Sequence, residues 1–136
     1  MTREIVYIRK VRYSDTDAQG HVFNANYFVY FDDAVTDYMA EAAGKNHVED
    51  GYDILLVHSE CDYKSSGQLH ETLLTRARVE KVGNTSLTFI LETTEKETGR
   101  EVVRGKEIWV TVDSATLKSI PVPQKLRQSV AAIEGW

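Results

Sequence analysis

The chain has 136 residues, of which 42% are hydrophobic and 27% charged, and its formal net charge is −5. This length predicts one domain, and the composition is too apolar for an intrinsically disordered chain. The acidic balance argues against a nucleic acid or an anionic membrane as partner, because proteins that bind these by bulk charge carry a basic face.

Targeting features are absent from the sequence, which predicts a soluble, cytoplasmic protein with a single domain over residues 1–136. Residues 1–10 alternate polar and apolar side chains, so they lack the apolar core of a signal peptide. The longest apolar run covers residues 27–31 and is far shorter than a membrane span. The one cysteine, Cys61, excludes an internal disulfide and fits a reducing compartment.

The first predicted elements are a strand and a long helix. Alternation over residues 4–13 predicts the strand, and one side of it carries Ile5, Tyr7, Val11 and Tyr13. After a polar turn, apolar residues recur at three- and four-residue spacing over residues 24–43, which predicts an amphipathic helix. We expect Asn24 or Asn26 as its N-cap and Gly44 as the residue that ends it.

From residue 53 onward the hydrophobic period changes to two, which predicts four more strands. On the first of these strands one face is shared by Leu55, Val57, Ser59, Cys61 and Tyr63. The pairs Gly83-Asn84 and Thr98-Gly99 predict turns between the later strands. Residues 124–133 predict a short amphipathic helix at the end of the chain.

These elements predict an α+β fold. The long helix is rich in aromatic residues and needs a large apolar surface to cover it. The simplest arrangement is one curved, five-stranded antiparallel sheet wrapped around the helix. The outer face and the edges of such a sheet invite a partner subunit.

The densest polar cluster spans residues 13–27, in the turn from the first strand to the helix. Asp15, Asp17, His21 and several amides lie just before a helix N-terminus, whose free N–H groups stabilise negative charge. An ester or thioester carbonyl would find hydrogen-bond donors there, with a carboxylate as base or nucleophile. The alternative is structural, because Asp and Asn are also common as capping and Asx-turn residues.

No metal site is predicted in this cluster. Residues 15–26 resemble an EF-hand calcium loop, but Asn26 replaces the bidentate glutamate and a strand precedes the loop where an EF-hand has a helix. A zinc site built from Asp15, Asp17 and His21 lacks a fourth ligand.

The pattern Asp15-Thr16-Asp17-x-x-Gly20-x-Val22-x-x-x-x-Tyr27 resembles the active-site signature of hot-dog-fold thioesterases. Within that fold it is similar to the 4-hydroxybenzoyl-CoA and YbgC-like acyl-CoA thioesterases, and the order of elements agrees over about residues 4–115. The resemblance implies a helix wrapped by a sheet and pairing into homodimers or homotetramers. It implies an acyl-CoA thioester as substrate, no cofactor and no metal.

The resemblance also implies roles for individual residues. Asp17, the second aspartate of the motif, would be the catalytic base or nucleophile, and the backbone N–H near position 24 would polarise the thioester carbonyl. Gly20 and Tyr27, which match the motif, would bind the substrate. A second branch of these enzymes uses a carboxylate from the helix, which makes Asp32 or Asp33 the fallback base.

Two positions depart from these relatives. Phe23-Asn24 stands where they carry Tyr-His or Phe-Tyr, and they have no counterpart of His21. The segment Gly20-His21-Val22-x-Asn24 instead resembles the His-Val-Asn-Asn element of plant-type acyl-ACP thioesterases. His21 and Asn24 are therefore expected to position the substrate or its oxyanion.

The predicted function is hydrolysis of an acyl or aryl thioester of CoA to the free acid and CoA. The alternatives are an acyl-ACP thioesterase, a hot-dog hydratase or dehydratase, and a non-catalytic acyl-CoA-binding module. Basic residues are expected to bind the CoA phosphates. Position alone nominates Lys64, Arg76, Arg78 and Lys81.

Overall fold

The computed structural model describes residues 3–136, in which one antiparallel sheet of five strands packs against two α-helices. In chain order the elements are β1 (Ile5–Lys10), α1 (Asn26–Ala43), β2 (Tyr52–Tyr63), β3 (Thr72–Val82), β4 (Ser86–Glu95), β5 (Glu101–Asp113) and α2 (Gln124–Glu134). The strand order is β1-β3-β4-β5-β2, so β1 and β2 form the two edges. This architecture confirms the predicted α+β fold with a sheet around one long helix.

Helix α1 forms the centre of the core because its aromatic face is buried against the sheet. Tyr30, Phe31 and Tyr38 are almost fully buried. Gly105 on β5 allows this close packing, since a Cβ atom there would overlap the ring of Phe31. The hydroxyl of Tyr38 donates to Oε2 of Glu134 (2.5 Å), which fastens α2 to α1.

The start of α1 differs from the sequence prediction. The helix begins at Asn26, and its N-cap is Ala25, which has helical backbone angles and no side-chain cap. Neither Asn24 nor Asn26 caps the helix, because the amide of Asn26 donates to the backbone oxygen of Asp15 instead (2.8 Å). Gly44 ends the helix as predicted, with φ of +83°.

Two strand predictions were wrong in detail. Tyr13 lies in a short 3-10 turn after β1 and is 83% exposed, so it does not share the buried side of that strand. In β2 the pairing register shifts between Leu56 and His58, which breaks the predicted alternation. As a result Leu55 and Val57 are exposed.

The end of the chain agrees with the prediction. Helix α2 packs on α1 through its buried side chains and ends at Gly135, whose φ is +79°. Neither helix of residues 3–136 is long and apolar enough to cross a membrane.

Candidate active site

The turn from β1 to α1 is organised around the carboxylate of Asp15. Arg9 binds it in a bidentate manner, with Nε donating to Oδ2 (3.0 Å) and Nη2 to Oδ1 (2.7 Å). The backbone N–H of Arg12 also donates to Oδ2 (3.0 Å). Burial raises the pKa of this carboxyl, but these hydrogen bonds outweigh burial and hold the pKa below its usual range.

The backbone oxygen of Asp15 holds the start of the helix against this turn. It accepts hydrogen bonds from the side-chain amide of Asn26 (2.8 Å) and the backbone N–H of Phe23 (2.9 Å). Asp15 therefore has a structural role: it connects β1, the turn and the first residue of α1.

Asp17 lies two residues further along, at the base of a small hairpin. Its backbone N–H donates to the oxygen of His21 (2.8 Å), and Gly20 adopts a positive φ of +78° to close the turn. The side chain of Asp17 is exposed, and its Oδ1 accepts from the backbone N–H of Gln19 (2.9 Å). Its Oδ2 has no hydrogen bond to the described residues.

A cavity of about 380 Å³ opens beside this hairpin. Its lining residues are Asp17, Gln19, His21, Val22, Asn24, Tyr27, Tyr63, Lys64, Ser65 and Ser66. The structure thus brings together four of the five residues that the sequence nominated. Gly20 shapes the hairpin but does not line the cavity.

Asn24, which lies two residues before α1, lines this cavity. The backbone N–H of Asn24 has no acceptor among the described residues, and it precedes the positive end of the helix dipole. The hydroxyl of Tyr63 donates to the backbone oxygen of Asn24 (3.1 Å), which belongs to the next peptide, between Asn24 and Ala25. A carbonyl oxygen that develops negative charge is stabilised at such a position.

Tyr27 forms a wall of the cavity. Its side chain is buried, and its hydroxyl accepts a hydrogen bond from the N–H of Gly67 (3.0 Å). Burial raises the pKa of Tyr27, so its phenol stays neutral near pH 7. This environment suits packing against a substrate better than proton transfer.

Sequence reasoning missed part of the lining, which comes from the end of β2 and the segment after it. Tyr63, Ser65 and Ser66 belong to this group. No local pattern marked them, because they lie about forty residues from the aspartate motif and approach it only in the folded chain. Of the four basic candidates only Lys64 lines the cavity.

The other reactive groups that the sequence brought into question, Asp32, Asp33 and Cys61, lie outside this cavity. Neither Asp32 nor Asp33 lines this cavity, and burial followed by the charge of Asp33 raises the pKa of Asp32. Burial also raises the pKa of the Cys61 thiol to about 11, so its thiolate is scarce at neutral pH. Within residues 3–136 no three His, Cys, Asp or Glu side chains are grouped so that they could hold a metal ion.

Comparison with known proteins identifies the family. The sequence profile of the thioesterase-like superfamily matches residues 11–130, which is most of the chain. The chain belongs to this superfamily. The membership supports a thioester hydrolase, in agreement with the enzyme class predicted from the aspartate motif.

Known structures share the fold of this chain. A Pseudomonas aeruginosa protein is 30% identical, with a TM-score of 0.84 over 95% of this chain and 90% of its own. A Staphylococcus aureus protein, crystallised in complex with CoA, is 17% identical, with a TM-score of 0.91 over 99% of this chain and 86% of its own. The 1,4-dihydroxy-2-naphthoyl-CoA thioesterase of Synechocystis is 18% identical, with a TM-score of 0.83 over 95% of this chain and 96% of its own. The last two similarities establish the fold alone.

Proposed function

We propose that the chain hydrolyses the thioester of an acyl-CoA to a free acid and CoA, with Asp17 as the catalytic carboxylate. The observation that carries this proposal is that Asp17 and Asn24 line one cavity, and that the backbone N–H of Asn24 has no acceptor among the described residues. A carboxylate and an oxyanion donor are the two elements that acyl transfer to water requires.

The thioester carbonyl is placed with its oxygen toward the N–H of Asn24. Negative charge builds on this oxygen when the carbonyl carbon becomes tetrahedral, and the N–H together with the helix dipole stabilises it. The imidazole of His21 lines the same cavity, where it contributes to positioning the substrate. The side chain of Tyr27, which forms one wall of the cavity, restricts the orientations that the substrate can adopt there.

Asp17 acts in one of two ways. As a base it takes a proton from water, whose oxygen then attacks the carbonyl carbon while the C–S bond breaks and the sulfur leaves as thiolate. As a nucleophile it attacks the carbonyl itself, expels the thiolate and forms a mixed anhydride, which water then cleaves. A single turnover in oxygen-18 water separates the two, since transfer of an oxygen of Asp17 to the product acid marks the anhydride.

The carrier that we propose is CoA, because Lys64 lies at the cavity. It has no ion pair within 4 Å among the described residues, so its ammonium is available for a phosphate.

We further propose that the protein acts as a homodimer or a larger homo-oligomer. The edge strand β2 exposes apolar side chains, namely Leu55, Leu56 and Val57, next to a row of unpaired backbone groups.

The test is thiol release from short-chain, long-chain and aryl acyl-CoAs. Wild type is compared with Asp17→Asn and with Asp62→Asn, a control at an exposed carboxylate on β2. We expect release by Asp17→Asn to fall by about 100-fold or more and release by Asp62→Asn to stay at the wild-type rate.

Other outcomes point elsewhere. Wild-type rates from a folded Asp17→Asn variant would refute the catalytic assignment. Binding of every thioester without release would indicate a binding module, and activity confined to acyl-ACP would change the carrier.

A further inference from the structure

The hairpin that carries Asp17 is held by the segment between β2 and β3, residues 64–71. The N–H of Val22 donates to the oxygen of Gly67 (2.8 Å), and the N–H of Leu69 donates to the oxygen of Gly20 (3.2 Å). Between these bonds His21 and Gln68 form an isolated antiparallel bridge. The position of the hairpin therefore depends on the position of the 64–71 segment.

Gly67 packs tightly where the two segments meet. A Cβ atom at this residue would lie 2.8 Å from the side chain of Leu73 and 3.1 Å from that of Val22. Its N–H also donates to the hydroxyl of Tyr27, so it joins the cavity wall to the hairpin. Because Gly67 contacts Val22 and Tyr27 so closely, a shift of the 64–71 segment would move these two residues as well.

One guanidinium holds both ends of this segment. Arg100, directly before β5, donates from Nη1 and Nη2 to the carboxylate of Glu71 (3.0 and 2.8 Å). The same side chain donates to the backbone oxygen of Ser66 (3.0 Å) and the hydroxyl of Ser65 (3.1 Å). Glu71 in turn accepts from the N–H of Gln68 (2.8 Å).

We infer that Arg100 is a positioning residue of the active site. It fixes the two ends of the 64–71 segment, the segment holds the hairpin at Gly20 and Val22, and the hairpin places Asp17 in the cavity. The inference rests on the proposed function of Asp17. It explains why a planar, five-donor side chain is used here, since lysine has no fork to bridge Glu71 and the two serines together.

A purely structural ion pair is the competing interpretation. It predicts that loss of Arg100 lowers the free energy of unfolding and leaves turnover by the folded protein unchanged. Positioning predicts a lower kcat at temperatures far below the melting temperature. A misplacement of about 1 Å at a catalytic group is enough to lower turnover by roughly 100-fold.

The experiment compares Arg100→Gln, Arg100→Lys and Glu71→Gln with the control Arg104→Gln. Arg104 is an exposed arginine on β5 that lies 3.9 Å from a carboxylate oxygen of Glu92. We expect kcat for the best acyl-CoA to fall by about 10- to 100-fold in Arg100→Gln and Glu71→Gln, with KM changed by less than about 3-fold. Arg100→Lys restores part of the loss, and Arg104→Gln keeps the wild-type kcat.

Amide hydrogen exchange supplies a second readout that is independent of turnover. In Arg100→Lys, which retains the charge beside Glu71, exchange should accelerate at Val22 and Leu69 and stay unchanged in β4. Wild-type kcat in folded Arg100 variants, while Asp17→Asn is inactive, would overturn the inference. An active Asp17→Asn variant would instead overturn the proposed function.

Discussion

Two aspartates of one motif, only two positions apart, have opposite environments. Asp15 is 6% exposed and bound by Arg9, so its charge is neutralised and its hydrogen bonds are satisfied. Asp17 is exposed, lines the cavity and has one carboxylate oxygen without a hydrogen bond to the described residues. The first carboxylate orders the turn and the second has few partners, which is a division that the residue types alone do not reveal.

Replacing Asp15 with asparagine should destabilise the protein at neutral pH. Arg9 would lose a partner that is nearly buried, and we expect a loss of about 2 kcal/mol in the free energy of unfolding. Because the pKa of Asp15 is lowered on folding, its contribution is present above the unfolded pKa of about 3.9 and is lost as the pH falls through the folded pKa.

Urea unfolding of wild type and Asp15→Asn at several pH values checks this prediction. The stability difference should be largest near pH 7 and should shrink as the pH is lowered below about 4. A difference that stays constant over this range would show that the charge of Asp15 contributes nothing.

Lys64 should contribute to binding of the CoA part of the substrate and leave the hydrolysis of the thioester unchanged. We expect Lys64→Ala to raise KM for acyl-CoA by about 5-fold, the scale of one exposed charge contact, with kcat retained. Acyl-pantetheine, which lacks the nucleotide phosphates, should be hydrolysed equally well by both proteins. Lys118→Ala is the control because Lys118 is exposed and does not line the cavity. An equal rise in KM for both substrates would exclude a phosphate contact.

At the scale of elements, strand β2 has two roles. Its inner pairing with β5 places Tyr63 at the cavity, and its outer edge is left without a partner strand in the described chain. The register shift after Leu56 turns consecutive apolar residues outward near the middle of this edge. An edge of this kind readily pairs with a second strand.

Substitution in this edge should change the oligomeric state. We expect wild type to sediment as a dimer or larger assembly and Val57→Glu to dissociate toward the monomer, because a buried charge without a partner disfavours the interface. Val48→Glu is the matched control, since Val48 is also an exposed valine but lies outside β2. Monomeric wild-type protein at micromolar concentration would contradict the proposal.

At the scale of the whole molecule, local sequence patterns predict the helices and strands. Which residues meet at the candidate site depends on how these elements are arranged in three dimensions. The periods of three to four and of two residues predicted both helices and all five strands, because burial of one face imposes those periods. The N-cap of α1 and the bulge in β2 were not predictable. Each depends on contacts with distant residues, such as the bond from Asn26 to Asp15.

The candidate site likewise contains residues that a local motif reveals and residues that only the folded arrangement brings together. Asp17 and His21 are contiguous in sequence, so a motif reveals them together. Tyr63 and the 64–71 segment reach them only because strand order β1-β3-β4-β5-β2 places the end of β2 and the start of β3 beside the hairpin. A single sequence gives period and motif but no strand order, and this is why Tyr63, Ser65 and Ser66 were missed.

The most direct test of the central claim is a single turnover of the best acyl-CoA by wild type and Asp17→Asn, followed by rapid quenching. The rate of C–S bond cleavage should fall by about 100-fold or more in the variant, while the Kd for the acyl-CoA stays within a few-fold of wild type. A folded Asp17→Asn protein that cleaves the bound thioester at the wild-type rate would contradict the account.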